Sequence, residues 1–447
     1  MDDLEARVRR ALAVMTAGVE PSPELDQRVA AVVARPRPPR WRTPTAVAAV
    51  VVVVLGAVAL FVGRDDERQA VDVVAPPPPA VIGGWNLAEP SPLGEPRRAA
   101  SVVWTGREAI VWGGARLGVG DGGDLGSADG AAYDPAARRW RRIADAPIAN
   151  RYRHKAVWTG REMIVWGGVV TGSGGRSDRP DGAAYDPATD TWRRIATSPL
   201  PGPSRTSLDA GQAVVWTGRE MIAWGRVFDG GYATEGAAYD PATDRWRRVA
   251  ALPEARQGPP ELFATPEGVL ASGRVAGVPK TLDPQRGELY RLTAEVDLYD
   301  PDTDTWKPLP PSELSPRGGV GPVWSGRELL VPGIATTQVA DPYRITARYR
   351  PDEQRWVDMA VAPAPPGFGL ASKVWAGREL LLTGTVPDGG PRSPYRKPVA
   401  YAYDPETDRW RDVPPPPDDL FDDTSGRAVW TGSGVLLWTG TTFAVSR

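Results

Sequence analysis

The sequence predicts an all-β domain, a seven-bladed β-propeller, preceded by one transmembrane helix and a short helical N-terminal tail. Three observations predict it. An uncharged apolar run lies between Thr43 and Gly63, and two aromatic hairpin motifs alternate along the chain that follows. Gly (49) and Pro (48) together make up about a fifth of the 447 residues, which suits short strands joined by turns. The charges nearly cancel, 53 Lys+Arg against 55 Asp+Glu, so no polybasic surface for nucleic acid is expected. There is no Cys and one His, His154, which excludes disulfides, thiolate sites and multi-His metal centres. No metal and no cofactor is expected.

Residues 1–43 carry eight Arg and six acidic side chains. Leu4, Val8, Leu12 and Met15 recur at helical spacing, and Ser22-Pro23 reads as an N-cap followed by Pro in the first turn. Two short amphipathic helices are expected, too small to hold a core alone. Residues 44–63 then supply about 20 residues at ~1.5 Å each, enough for a ~30 Å hydrocarbon core. Arg35, Arg37, Arg40 and Arg42 precede the span, whereas Arg64-Asp65-Asp66-Glu67-Arg68 follows it. Excess Arg marks the cytoplasmic side, so the expectation is a plasma-membrane protein with its N-terminus inside and everything after residue 64 outside. Residues 64–81 form an acidic, Pro-rich linker whose Pro76–Pro79 run acts as a stiff spacer.

Self-similarity organises residues 82–447. One unit reads Trp-Thr-Gly-Arg-Glu followed by an apolar strand. It starts at Trp104, Trp158, Trp216, Trp324, Trp375 and Trp430, with a degenerate copy from Phe263, at a mean period of about 54 residues. A second unit, Tyr-Asp-Pro to Trp, lies between copies as Tyr133–Trp140, Tyr185–Trp192, Tyr239–Trp246, Tyr299–Trp306, Tyr349–Trp356 and Tyr403–Trp410. In the first unit Gly supplies the positive φ of a tight reversal. In the second, Asp accepts local backbone bonds and Pro presets φ, leaving Tyr and Trp opposed on paired strands. Two such hairpins make a four-stranded antiparallel sheet, and a ring of these sheets is a propeller.

These residues resemble the Kelch repeat and the galactose-oxidase-like bacterial propellers. The resemblance rests on the Tyr-to-Trp spacing, on the Gly113-Gly114 and Gly167-Gly168 doublets, and on an Arg that often opens the first strand. It implies a Kelch-like propeller over residues 82–447, without the Cys-linked Tyr and His ligands that the copper oxidase needs. Seven first units stand against six second units. The sequence around Trp85 is expected to supply the missing outer strand by pairing with the strands that follow Trp430, which hides an unpaired edge. The tail, more loosely, resembles the cytoplasmic heads of bacterial anti-sigma-like regulators, although it lacks their His/Cys zinc signature.

All 18 Trp are accounted for by repeat, closure or membrane interface. Strand alternation puts the hairpin turns on one face and the variable connections, Ala115–Gly130, Val169–Gly182, Arg226–Gly236, Arg274–Val296 and Thr385–Lys397, on the other. Binding residues are expected on the variable face. Seven residues before the repeat starts stand Arg97, Arg151, Arg256 and Arg317, which read either as a basic collar for an anionic ligand or as structural pairs to a neighbouring blade. Arg153 and His154 join them as candidate ligand-binding residues, although His154 aligns with Ala100 and Gln212 in other copies, as a structural side chain would. No Gly-x-Ser-x-Gly elbow is present, and the Asp121–Asp129 loop fits no EF-hand. No catalytic residue is assigned. The expected role is non-catalytic binding of a protein or cell-envelope ligand. The alternatives are a transmembrane sensor with a regulatory tail and a carboxylate-dependent hydrolase or lyase in the channel.

Overall fold

The computed structural model describes residues 82–116, 125–172, 175–178, 180–200, 213–226, 233–253, 260–274, 281–283, 287–289, 294–310, 321–333, 346–365, 367–389, 396–417 and 427–446. The expected tail helices, the 44–63 span and most of the linker lie outside these residues. Among the described residues every regular element is a strand, and no helix is long and apolar enough to cross a membrane.

Each blade follows from its two hairpins. In the first blade Ser101–Trp104, Ala109–Trp112, Gly130–Asp134 and Arg139–Arg142 pair antiparallel in that order. The first turn is held by Thr105, whose Oγ1 accepts from the Glu108 N–H (2.9 Å) and donates to Glu108 O (3.0 Å), while Gly106 takes φ 94°. Thr159, Thr217 and Thr431 repeat this, and Ser325 substitutes its own hydroxyl. The second turn is held by Asp134, whose Oδ1 accepts from Ala136 and Ala137 N–H at 2.9 Å. Across it Tyr133 opposes Trp140, ring centroids 5.0 Å apart, as do the other five Tyr–Trp pairs at 5.0–5.2 Å.

Seven four-stranded sheets result. The seventh is composite: Arg427–Trp430, Val435–Trp438 and Phe443–Ser446 are completed by Trp85–Leu87, with Trp85 opposite Ser446 and Leu87 opposite Ala444. The closure expected from Trp85 is therefore present.

The core lies between blades, not within them, because each sheet is apolar on both faces. Ile110 and Trp112 of the first blade pack on Met163 and Tyr185 of the second. The same packing joins blades two and three, three and four, four and five, and five and six. Ala402 and Val413 of blade six meet Val435 of blade seven, and Trp438 and Phe443 of blade seven meet Val111 and Tyr133 of blade one. The wheel closes on itself.

A polar relay runs round the rim. Each outer-strand Trp donates its indole N–H to the carbonyl four residues past the preceding blade's Trp: Trp140 to Glu89, Trp192 to Ala144, Trp246 to Ala196, Trp306 to Ala250, Trp356 to Pro310, Trp410 to Ala360 and Trp85 to Pro414, at 2.7–3.0 Å. Trp85 thus performs the repeat's own task in the seventh blade.

Two expectations shift. The degenerate fourth copy is displaced by one residue: Ala264, opposite Val269, holds the position of Trp104 opposite Ala109, so Phe263 aligns with Val103. Several variable connections are also partly ordered into strands. Ala115–Arg116 pairs with Leu125–Gly126, Val169–Gly172 pairs with both Gly175–Asp178 and Arg151–Tyr152, and Thr281–Asp283 pairs with Gly287–Leu289.

Candidate functional site: the channel mouth on the variable face

The innermost strand of each blade enters from the variable face and runs toward the turn of its first hairpin. Residues seven before the repeat Trp therefore stand at the outer lip of the channel, and those two or three before it stand one tier deeper. The two tiers differ in chemistry.

At the lip, Arg97 and Arg151 are buried, and the terminal nitrogens of both are engaged within the fold. Arg97 grips Asp129 through both carboxylate oxygens (2.7 and 2.8 Å) and also donates to the carbonyls of Leu93 and Gly113. Arg151, fully buried, donates to Asp181 Oδ1 (3.1 Å) and to the carbonyls of Ala149 and Gly167. Each side chain ties the Gly-Gly end of its own blade's second strand to the start of the third. The pairing is within one blade, not with a neighbour as the structural reading expected. Burial pushes the Asp129 carboxyl up, but the Arg97 bonds and charge outweigh it and hold the group below its ordinary value. A guanidinium so enclosed presents no donors to a ligand. Arg256 and Arg317 lie outside the described residues. Counted along the sequence, Gln257 and not Arg256 stands seven before Ala264, and it too lies outside the described residues.

His154 is buried between the first two blades. Its Nε2 lies 2.8 Å from Ser101 Oγ, and its ring meets Trp112 edge-on at 4.8 Å. A Cβ on Gly113 would come within 2.6 Å of His154 Cε1, and one on Gly168 within 2.8 Å of His154 Cβ, so both doublets make room for it. Burial first, then the charges of Arg151, Arg427 and Lys155, hold the imidazole well below its usual value and keep it neutral. Arg153, partly buried with φ 56°, donates its backbone N–H to Ala99 O (3.1 Å) and so stitches the first two blades.

The deeper tier escaped the sequence reading. Three residues before the repeat Trp, the blades carry in turn Ser101, Lys155, Ala213, Glu261, Gly321, Ser372 and Arg427. Lys373 follows Ser372, just past a register shift between Leu370 and Ser372. The residue directly before the repeat Trp (before Ala264 in the fourth blade) is Val or Phe in every blade, whereas the one two before it is Val102, Ala156, Val214, Leu262, Pro322, Lys373 and Ala428. Lys373 Nζ reaches Glu261 at 2.9 and 2.7 Å, joining blades six and four past blade five. Gly321 permits this, since a Cβ there would lie 2.3 Å from both charged atoms. Two signals were available: side-chain variety at one level of an otherwise regular repeat, and Lys at two of the five Lys positions in a chain with 48 Arg.

The opposite face carries ion pairs that belong to the repeat. Glu108, Glu162, Glu220 and Glu379 each receive a two-pronged Arg from the same blade's outer strand: Arg141, Arg193 (3.0 and 2.7 Å), Arg247 (3.3 and 2.8 Å) and Arg411 (3.1 and 2.6 Å). Among the described residues no group of His, Asp or Glu is arranged to hold a metal ion.

No family model matches the chain. Among curated proteins it is 27% identical over 277 residues to Kelch-like protein terF of Aspergillus terreus, covering 59% of this chain and 55% of that protein. It is 26% identical over 294 residues to Kelch-like protein 34 of Homo sapiens, covering 63% and 42%. It is also 22% identical over 283 residues to an N-acetylneuraminate epimerase of Haemophilus influenzae, covering 60% and 65%. The chain spans about half the length of the first two of these proteins. With its alternating hairpin motifs and seven closed blades, the described domain is a Kelch-repeat, galactose-oxidase-like β-propeller, and it lacks the residues of the copper oxidase.

Proposed function

We propose that the chain is a single-pass plasma-membrane protein whose propeller, held outside the membrane, binds a protein or cell-envelope ligand without catalysis through its variable face. The observation that carries the binding reading is the contrast between faces. One is built from the same hydroxyl turns, Asp turns and Arg–Glu pairs in blade after blade, whereas the other differs at every blade and carries the unrepeated charges at the channel mouth. A rigid wheel presenting variable loops is a binding scaffold. Membrane anchoring and orientation rest on residues 44–63 and the Arg cluster before them.

A photo-cross-linking side chain at Leu125, exposed on the variable face, should give a discrete adduct in intact cells. The same group at Asp302, on the repeat-built face, should give none. Adducts from Asp302 alone would refute the assignment of the binding face. A reporter active only outside the cytoplasm should work after residue 75 and fail at residue 1; the reverse pattern would overturn the topology.

The similarity to an N-acetylneuraminate epimerase favours a second reading, chemistry on an acidic sugar in the channel. Under it, the full chain epimerises N-acetylneuraminate faster than the spontaneous rate, as followed by proton NMR. A rate equal to the spontaneous one removes this reading.

A further inference from the structure

We infer that the channel mouth on the variable face is a carboxylate site in which Glu261 occupies the place of a ligand's carboxylate on Lys373. The inference deepens the reading of that face as the binding face by naming the chemistry it takes.

Four observations support it. First, among the described residues Lys373 and Arg427 bring positive charge to this level from blades six and seven, and Glu261 brings one carboxylate from blade four. Lys373 and Arg427 thus set two cations against that one anion, and the balance favours an anionic ligand. The strand Arg427–Trp430 packs against one side of the first blade's inner strand, Ser101–Trp104, and Lys155–Trp158 against the other.

Second, the repeat does not demand these charges. The equivalents of Arg427 in the first and third blades are Ser101 and Ala213, and those of Lys373 are Val102 and Val214, all uncharged. The charges of Lys373 and Arg427 are therefore additions to the repeat on rigid inner strands, where recognition groups are best placed.

Third, the Lys373–Glu261 pair is built to open. It spans two blades over a glycine and lies beside the register shift at Leu370–Ser372, and such bulges re-aim side chains near functional sites. Both partners retain solvent contact, with 21% of the Lys373 side chain and 44% of that of Glu261 exposed. An exposed ion pair contributes little to stability, so an incoming carboxylate can displace Glu261 at low cost.

Fourth, the cation on Glu261 is a Lys in a chain that uses Arg almost throughout. An ammonium is a compact charge on a flexible stem and can swing from one carboxylate to another, whereas Arg97 and Arg151 are fixed by several bonds each.

A free sugar acid and an acidic peptide share this chemistry, and the test separates them. The full chain is dialysed to equilibrium against radiolabelled glucuronate and, in parallel, against a capped tri-glutamate peptide. Glu261→Gln removes the internal competitor. If Glu261 holds Lys373 in about nine molecules of ten, the apparent affinity should rise about tenfold. Adding Lys373→Met to Glu261→Gln should abolish the gain. Tighter binding of glucuronate alone assigns a small acid, and tighter binding of the peptide alone assigns an acidic chain. The inference fails if Glu261→Gln binds neither probe, binds no tighter than the parent, or binds equally with Lys373→Met added. Melting curves recorded alongside show whether each variant is folded, and Glu261→Asp, which keeps the charge, stands in for any that is not by weakening the clasp with a smaller gain. Failure here leaves the cross-linking test of the variable face untouched.

Discussion

Trp85 donates its indole N–H to Pro414 O at 2.8 Å, the same bond that each other outer-strand Trp makes to the blade before it. It fastens a strand from the start of the propeller to blade six, while the backbone of that strand pairs with Phe443–Ser446. Closure thus uses the repeat's own hydrogen bond and no disulfide.

Trp85→Ala should destabilise the propeller by about 2–4 kcal/mol, losing half-buried aromatic area together with the hydrogen bond. Trp85→Phe should cost about 1 kcal/mol less than that, since it retains most of the area. Urea unfolding followed by tryptophan fluorescence reads both, and equal midpoints for Trp85→Ala and the parent would show that the seam carries no load.

Arg151→Ala should cost about 3–5 kcal/mol, because it leaves Asp181 and several buried carbonyls without their donor. Arg151→Lys should recover little, since one ammonium cannot replace the planar fork. Unchanged thermal stability in Arg151→Ala would return this residue to the list of ligand-binding candidates.

His154 gives the propeller a weakness in acid. Its imidazole is held well below its usual value in the fold, so the unfolded chain binds the proton first. Its contribution is fully present above the unfolded value of about 6.5 and is lost as pH falls from there toward the folded value, at up to about 1.4 kcal/mol per pH unit. His154→Gln should flatten the fall in melting temperature between pH 6.5 and 5, even if it lowers stability at pH 8. An unaltered slope would mean that the proton is accommodated in the fold.

Asp190 sits at φ 53° and accepts from both Tyr185 Oη–H (2.6 Å) and the Ala144 N–H of the preceding blade (3.0 Å). Asn tolerates this backbone and keeps an acceptor, so Asp190→Asn should cost about 1 kcal/mol. Asp190→Ala should cost about 2–3 kcal/mol through strain and lost bonds. Equal losses in the two variants, measured by denaturant midpoint, would remove the backbone from the explanation.

The wheel was legible because its determinants are local and repeated. Gly106 and Thr105 dictate a turn, Tyr133 and Trp140 dictate a cross-strand pair, and the spare Trp85 announces a missing strand. The fourth copy was misaligned by one residue because Ala264 has replaced the Trp that marks the register elsewhere. The Arg positions were legible but their engagement was not, although Arg97 and Arg151 occur in the two copies that also carry Asp129-Gly130 and Asp181-Gly182. Contacts between non-adjacent blades leave no trace in repeat spacing: Glu261 and Lys373 are 112 residues apart and meet because the ring brings two inner strands to one channel.

The absence of Cys allows a direct test of closure. Leu87 and Ala444 are opposed on the strands that seal the ring, and directly opposed residues of an antiparallel pair bring their Cβ atoms to about 4.5–5.5 Å, close to disulfide geometry. The double variant Leu87→Cys with Ala444→Cys should form an intramolecular disulfide on mild oxidation, found by mass spectrometry as one cross-linked peptide pair from the monomer. Thiols that stay free in the folded protein, or that link only between molecules, would contradict the closed seven-bladed wheel.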